Sequence, residues 1–514
     1  MVYIIVELPK STKTYPKRLI QMKNIISVSG ITLTPITNNL KHDYIFVDNE
    51  IQASLDRINF FKILKKNSRI KKRHGYSIES IVYTLIIWAF LKKSSLKTFC
   101  HKCVRAFFPG QKDVLYDMMK SEEINWRRIT LETAKVIYVQ NNIAMEQETA
   151  FVFDDTIKKR SGRKVEGTSS HFEHSEGRTV RGQQMIELGL SFKNGFLPVD
   201  RQIFIGNKKS HYLNEGFING KSAVAKDFEC ARDKNKNEMF RAMLKRAVKH
   251  GFHAKYTLAD SWFNTKENIK VVKDLNLIGI FRAKRGKLNY RLNDRNYCLK
   301  ELYCYMKRRL EKKKNCKWKT AALTVKLNLS DDKKIEQWID VKLVFSAPKN
   351  QKKDQWAAFL STDTSLRTEK ILEVYAMRWA IEVYFKEIKQ NMGFLKEQSP
   401  SYISHYASIH LTALRYMLLL EGLLLEGDIT FAQYRSKITN KIEMLTFASI
   451  LWQLFKAIIY GVLDTFKKLI GEDIMHQIKN KISTTIEEML EKALQMDENY
   501  IKHEIKAERI GALN

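Results

Sequence analysis

The sequence predicts an α/β fold with a mixed sheet, and three observations predict it. From Thr149 the chain passes through short strand-like runs, AFVFDDT (150–156), MIELGLSF (185–192) and FLPVDRQIFIG (196–206), before a helical stretch carrying Met239, Met243 and Val248. It then alternates between YTLADSWF (256–263), a helix near Lys266 to Leu275, and IGIFRAK (278–284). Three adjacent strands followed by helix, strand, helix and strand describe an antiparallel meander leading into parallel strands. Helical periodicity from Asn49 to about Val136, and again beyond Thr364, adds helical regions on both sides.

Taken in order, residues 1–45 show no sustained period and read as an N-terminal arm or irregular segment. Residues 46–148 are helical and basic. Ile78, Ile81, Val82, Leu85, Ile86, Trp88 and Leu91 form an apolar face that is broad even for a helix. Before it, Lys62, Lys65, Lys66, Arg69, Lys71, Lys72 and Arg73 follow one another with no acid between Phe61 and His74, so this region is expected to bind DNA. Residues 149–286 form the first part of the core. Residues 287–364 form a β-rich basic insertion, with strands in TAALTVKLNL and WIDVKLVFS. Its cluster Lys307, Arg308, Arg309, Lys312, Lys313, Lys314, Lys317 and Lys319 is offset only by Glu311 and suits phosphate contact. Residues 365–425 complete the core, and 426–514 form a C-terminal helical region expected to dimerise. The apolar run from Leu445 to Leu463 contains Gln453 and Lys456, which argues for a buried or dimer-facing helix rather than a membrane span.

Composition narrows the partner. The chain has 514 residues, with Lys+Arg 89 against Asp+Glu 56 and a formal net charge of +33. Hydrophobic residues make up 44%, enough for a large core, which excludes a disordered or collagen-like chain. Such a surplus of positive charge calls for a polyanion: nucleic acid is the commonest such partner, expected here as double-stranded DNA, and an anionic membrane surface, not expected here, is the runner-up. Six cysteines are too few for a disulfide framework and point to a reducing, cytoplasmic setting. Cys100 and Cys103 have CxxC spacing without a second pair nearby, so they are read as ordinary reduced cysteines.

Two strand ends carry aspartates where the apolar alternation stops. In AFVFDDT, Phe151, Phe153 and Asp155 share one face by the two-residue period, and Asp154 points the other way. Asp260 closes YTLA in the same manner. A helix expected from about Leu366 reads YAMRWAIEVYFKEIKQNMG, and Tyr375, Arg378, Glu382, Lys386 and Lys389 fall on one stripe of it. Two strand-end acids and one helical acid are what a two-metal phosphodiester site requires, because hard divalent ions take oxygen ligands. Basic neighbours suit the DNA backbone. Trp262, which follows the second acid, is read as a core tryptophan or as a platform for an unpaired base.

These residues resemble the insertion-sequence-four type of DDE transposases, which have a ribonuclease-H-like core. Tyr375, Arg378, Glu382 and Lys389 match that family's Tyr-(2)-Arg-(3)-Glu-(6)-Lys pattern without a gap. Asp155–Thr156 matches the first acid and the threonine after it, and Asp260 matches the second acid. The long interval from Asp260 to Glu382 resembles the family's β-rich insertion. The resemblance covers roughly residues 149–425. It implies cut-and-paste DNA transposition, with Asp155, Asp260 and Glu382 as catalytic residues holding two Mg²⁺ or Mn²⁺ ions. Tyr375, Arg378, Lys389 and, outside the motif, Lys386 are expected at DNA phosphates, with Trp262 at a base. It also implies a homodimer in a synaptic complex on element ends and target, in a prokaryotic cytoplasm. Asp154 stands as the rival to Asp155. A metal-dependent endonuclease without strand transfer, or an inactive transposase-derived DNA-binding protein, are the competing functions.

Overall fold

The computed structural model describes residues 49–71, 75–91, 95–102, 108, 110–162, 164–173, 176–206, 216–286, 288–312, 318–330, 336–349, 355–466 and 471–482. The expected N-terminal arm, Lys72, Arg73, Cys103 and the insertion's Lys313, Lys314 and Lys317 lie outside the described residues.

Six helices come first: α1 (Asn49–Arg57), α2 (Phe60–Lys66), α3 (Ile78–Ile87), α4 (Leu96–Lys102), α5 (Lys112–Met119) and α6 (Trp126–Gln140). Helix α3 starts where the Ser77 hydroxyl accepts from the Ser80 amide, and every residue from Glu79 to Ile87 is buried. Its broad apolar face is therefore covered on all sides. The carbonyls at its end have no intrahelical donor and are met by the buried guanidinium of Arg415, which donates to Ile86 O at 3.1 Å and to Leu85 O at 2.5 Å.

The core follows as β1 (Ala150–Lys159), β2 (Ser169–Glu173), β3 (Arg178–Phe192), β4 (Gly195–Phe204), α7 (Ala223–Asp233), α8 (Lys236–Lys249), β5 (Tyr256–Ala259), α9 (Lys266–Asp274) and β6 (Ile278–Arg282). Strand β1 pairs antiparallel with β3 and parallel with β5, while β5 pairs parallel with β6 and β3 antiparallel with β4. The order β4-β3-β1-β5-β6 is that of a ribonuclease-H-like core, as the sequence predicts. Short β2, which the sequence pattern does not announce, lengthens the meander along the outer edge of β3. Gly182 is opposite both Lys159 and Ser169, and a Cβ there would stand 2.4 Å from the Lys158 carbonyl, so this three-strand junction requires glycine.

The insertion contains β7 (Asn289–Leu292), β8 (Arg295–Cys298), α10 (Leu299–Met306), β9 (Glu311–Lys312), β10 (Trp318–Asn328), β11 (Trp338–Pro348) and β12 (Ala357–Ser361). It is β-rich as expected, but it is not a separate layer. Strand β12 pairs antiparallel with β6, and the whole forms one 12-stranded sheet.

Four named helices follow, α11 (Thr368–Ala376), α12 (Trp379–Asn391), α13 (Tyr402–Glu426) and α14 (Phe431–Thr465), and residues 472–482 at the end of the described chain are helical as well. Among the described residues α13 alone is long and apolar enough to cross a membrane, yet 89% of its most apolar stretch is buried inside the protein, which makes it a core helix. The N-terminal helices are fastened to it. Arg57 meets Glu421 at 2.6 Å, and the Arg127 amide donates to the Tyr406 hydroxyl at 3.1 Å. Gly422 lets α14 cross closely, since a Cβ there would lie 2.1 Å from the Tyr434 hydroxyl. The 445–463 run falls within α14, where Phe455, Ile458 and Val462 are exposed.

Beneath the sheet, Arg201 of β4 and Glu187 of β3 form an ion pair at 3.1 Å with both side chains 0% exposed. Glu187 also accepts from Tyr384 of α12 at 3.3 Å, which ties the helix carrying Glu382 to the sheet.

Candidate functional site

Strand β1 ends in two adjacent carboxylates that face opposite ways, as the two-residue period dictates. Phe153 packs edge-on against Phe240 of α8 at 4.9 Å and Phe263 at 4.7 Å, which fixes that face of β1 against α8. Asp155 lies on the same face, with Lys236 Nζ at 2.8 Å and Gln184 Nε2 donating at 2.6 Å. Asp154 faces α12. It accepts from Arg378, whose other terminal nitrogen donates to Glu382 Oε1 at 3.0 Å. The alternation is as read from the sequence, but the third acid lies on the Asp154 side, because α12 packs on the face away from α8.

Asp260 stands just beyond β5, with Arg282 Nη1 4.0 Å from its Oδ1. Its charge acts on both Tyr375 and Arg378, so it lies within electrostatic range of the guanidinium that Glu382 contacts. The helix expected to carry Tyr375 through Lys389 without interruption is two helices. Around Met377 and Arg378 the amides of Arg378, Ala380 and Ile381 bond three residues back, to Tyr375, Met377 and Arg378, at 3.1, 3.2 and 3.2 Å. This tighter, 3₁₀-like corner joins α11 to α12 and brings Tyr375 against Phe359 at 4.6 Å.

Electrostatics follow from this crowding. Burial raises the Asp154 carboxyl most, Arg378 opposes the rise, and Asp155 and Glu382 add to it, leaving it pushed up to about 7. Burial alone would lower the Arg378 guanidinium, but Asp154, Tyr375 and Glu382 outweigh it and raise it. Burial likewise pushes the Tyr375 hydroxyl well up, so it remains a hydrogen-bond donor. Desolvation lowers the Lys389 ammonium, although Glu173, Glu382 and Asp155 attract it. Lys386 is exposed one turn beyond Glu382.

Trp262 is not a core residue. It is 54% exposed, with the Lys284 ammonium 4.9 Å and the Lys236 ammonium 5.6 Å from its ring. Sequence reasoning missed Lys236, Gln184 and Arg282 beside the acids. Each is brought in by strand pairing or by a helix end, and no spacing along the chain signals it.

The donor set suits a hard divalent cation. Asp154, Asp155, Asp260 and Glu382 offer only carboxylate oxygens, and Asp155 and Glu382 both repel Asp154. Among the described residues no three such side chains converge closely enough to hold a metal ion, and the Arg378 guanidinium joins two of them.

A family model described as DDE superfamily endonuclease matches residues 89–330, just under half of the chain. The match takes in the aspartates of β1 and β5 and stops before Glu382. No curated protein matches the chain. The similarity supports a nuclease or transposase function on DNA, of a class that generally uses divalent metal ions.

Proposed function

We propose that the protein is the transposase of an insertion sequence, of the insertion-sequence-four type, cutting and joining DNA phosphodiesters at element ends by cut-and-paste transposition. The observation that carries this reading is the meeting of Glu382 with a strand-end aspartate through Arg378, whose guanidinium also feels the charge of Asp260. Water attacks a phosphodiester at the element end, and the freed 3′-hydroxyl then attacks another strand.

Asp260 and Glu382 serve as ligands and catalytic residues together with the Asp154–Asp155 pair. Within that pair the family motif favours Asp155, and the contact with Arg378 favours Asp154. Two Mg²⁺ or Mn²⁺ ions, when bound, supply activation of the attacking oxygen and stabilisation of the leaving one. Arg378 and Lys389 hold backbone phosphates, Tyr375 donates to one from its protonated hydroxyl, and Lys386 extends the contact along α12. Trp262 offers one face to an unpaired base. A second copy of the chain is engaged through α14, where Phe455, Ile458 and Val462 present an exposed apolar stripe that Phe466 continues just past the helix end. The protein acts on DNA in the cytoplasm, at the nucleoid.

The test separates the two reactions on DNA carrying the sequences that border the reading frame. Release of the element end and joining of its 3′-hydroxyl to a target are both expected. Cleavage without joining would make the protein a plain endonuclease, and binding without either would make it an inactive derivative.

A further inference from the structure

The end of β1 carries a cluster of positive charge that the motif does not include. Asp154, Thr156 and Lys158 share one face of β1 by the two-residue period, so Lys158 emerges on the side of α12, beyond the acids. Lys158 is half-buried, and its ammonium lies in the field of Arg160, Lys396 and Lys389, all of which repel it. The acid that acts on it most strongly is Glu397, which is already committed to Arg160 at 3.2 Å and to the Ser408 hydroxyl at 2.7 Å. Among the described residues Lys396 reaches only the Gln390 carbonyl, at 3.4 Å. Among the described residues neither Lys158 nor Lys389 has a hydrogen-bond or ion-pair partner for its ammonium.

Crowded, partly desolvated ammonium groups weaken the folded state unless an anion joins them. Burial first, and then Arg160, Lys396 and Lys389, lower the Lys158 ammonium, as expected for a site lacking its counter-charge. The side-chain amide of Gln183 is already committed, its nitrogen to Glu166 O and His405 and its oxygen to Arg160 Nε at 2.9 Å, so it offers the lysines no acceptor. A tetrahedral oxyanion with several acceptor oxygens would satisfy three lysines at once. Lys158 stands four residues along β1 from Asp154 and Lys389 two turns along α12 from Glu382, which selects a phosphate of the nucleic-acid backbone farther along the strand from the acids.

We infer that Lys158 and Lys396, together with Lys389, form a phosphate subsite that holds the DNA strand beside the carboxylates. The inference rests on the proposed action on DNA and extends it to two residues outside the helix motif. They are positioning residues, acting on a backbone phosphate flanking the cut.

The test measures the affinity of the full chain for mixed-sequence duplex DNA across a range of KCl concentrations, alongside the melting temperature. K158Q and K396Q should each bind about tenfold more weakly. Each should also reduce the slope of log K against log salt by about 0.9, the share of one phosphate contact. Neither should melt below the wild type, because a repelled charge has been removed, whereas a merely structural lysine would lower the melting temperature when replaced. K249Q, at the far end of α8 from Lys236, should leave the slope unchanged. Should K158Q not fold, K396Q alone decides, since Lys396 lies in the loop after α12. Unchanged slopes in both variants while the wild type binds DNA would overturn the subsite and leave the proposed function standing. Failure of the wild type to bind any duplex would overturn the proposed function itself. Stabilisation of the wild type, but not of K158Q, by inorganic phosphate at matched ionic strength, with DNA slopes unaltered, would identify a free-phosphate site and refute the backbone assignment.

Discussion

Arg378 competes with any cation that Asp154 and Glu382 would share, and R378Q measures how strongly. The guanidinium makes a charged hydrogen bond to each acid. A hydrogen bond to a charged group contributes about 1.5–3 kcal/mol when shielded, which applies to Asp154, whose side chain is 18% exposed. The Glu382 side chain is 38% exposed, so solvent screening reduces its share to about 0–1 kcal/mol. Together the two restrain the carboxylates by about 1.5–4 kcal/mol, which at ~1.4 kcal/mol per decade corresponds to roughly 10- to 700-fold in a competing equilibrium. Calorimetric titration with Mn²⁺ in the absence of DNA should therefore find R378Q binding more tightly than the wild type by about that factor. The same variant should bind duplex DNA more weakly, with a shallower salt dependence. Equal or weaker Mn²⁺ affinity in R378Q would refute the competition, and with it the placing of a cation between these two acids.

Three further outcomes follow from the geometry. R201M or E187M alone should lower stability by about 3–5 kcal/mol, because each leaves a buried charge without its partner, and the double variant should recover most of the loss in denaturant titrations. Burial alone would raise the Asp200 carboxyl, but Arg246, Arg127 and Arg201 outweigh it and hold it low. Its contribution is then present above the unfolded-state value near pH ~4 and is lost as pH falls through the lower folded value, so D200N should flatten the acid limb of the stability profile. W262A should leave stability within ~0.5 kcal/mol, since the ring is exposed, and weaken single-stranded DNA binding by about 1–3 kcal/mol in fluorescence titrations.

Local pattern accounts for what the sequence foretold. Alternation in AFVFDDT placed β1 and the opposed faces of Asp154 and Asp155, and the strand–helix alternation after Lys249 led to the parallel pair β5 and β6. What remained hidden depends on pairs distant in the chain. Which face of β1 meets α12 is decided by tertiary packing, through Tyr384 on Glu187 and Arg378 on Asp154, and no periodicity encodes it. The joining of β12 to β6 made the insertion part of the core sheet, a register that short apolar runs cannot specify. The corner between α11 and α12 was hidden by a helical stripe, because three-residue and four-residue bonding keep nearly the same face over one turn. Trp262 read either as core or as a platform for a base, and it lies in the 3₁₀ turn after Asp260, where only Phe263 is buried.

The most direct measurement is divalent-metal-dependent cleavage of element-end DNA by the wild type, D154N, D155N, D260N and E382Q, each first shown to fold and to bind the same DNA. The account predicts cleavage by the wild type with Mg²⁺ or Mn²⁺ and none by D260N, E382Q and at least one of the β1 variants. An E382Q protein that cuts as fast as the wild type would contradict it.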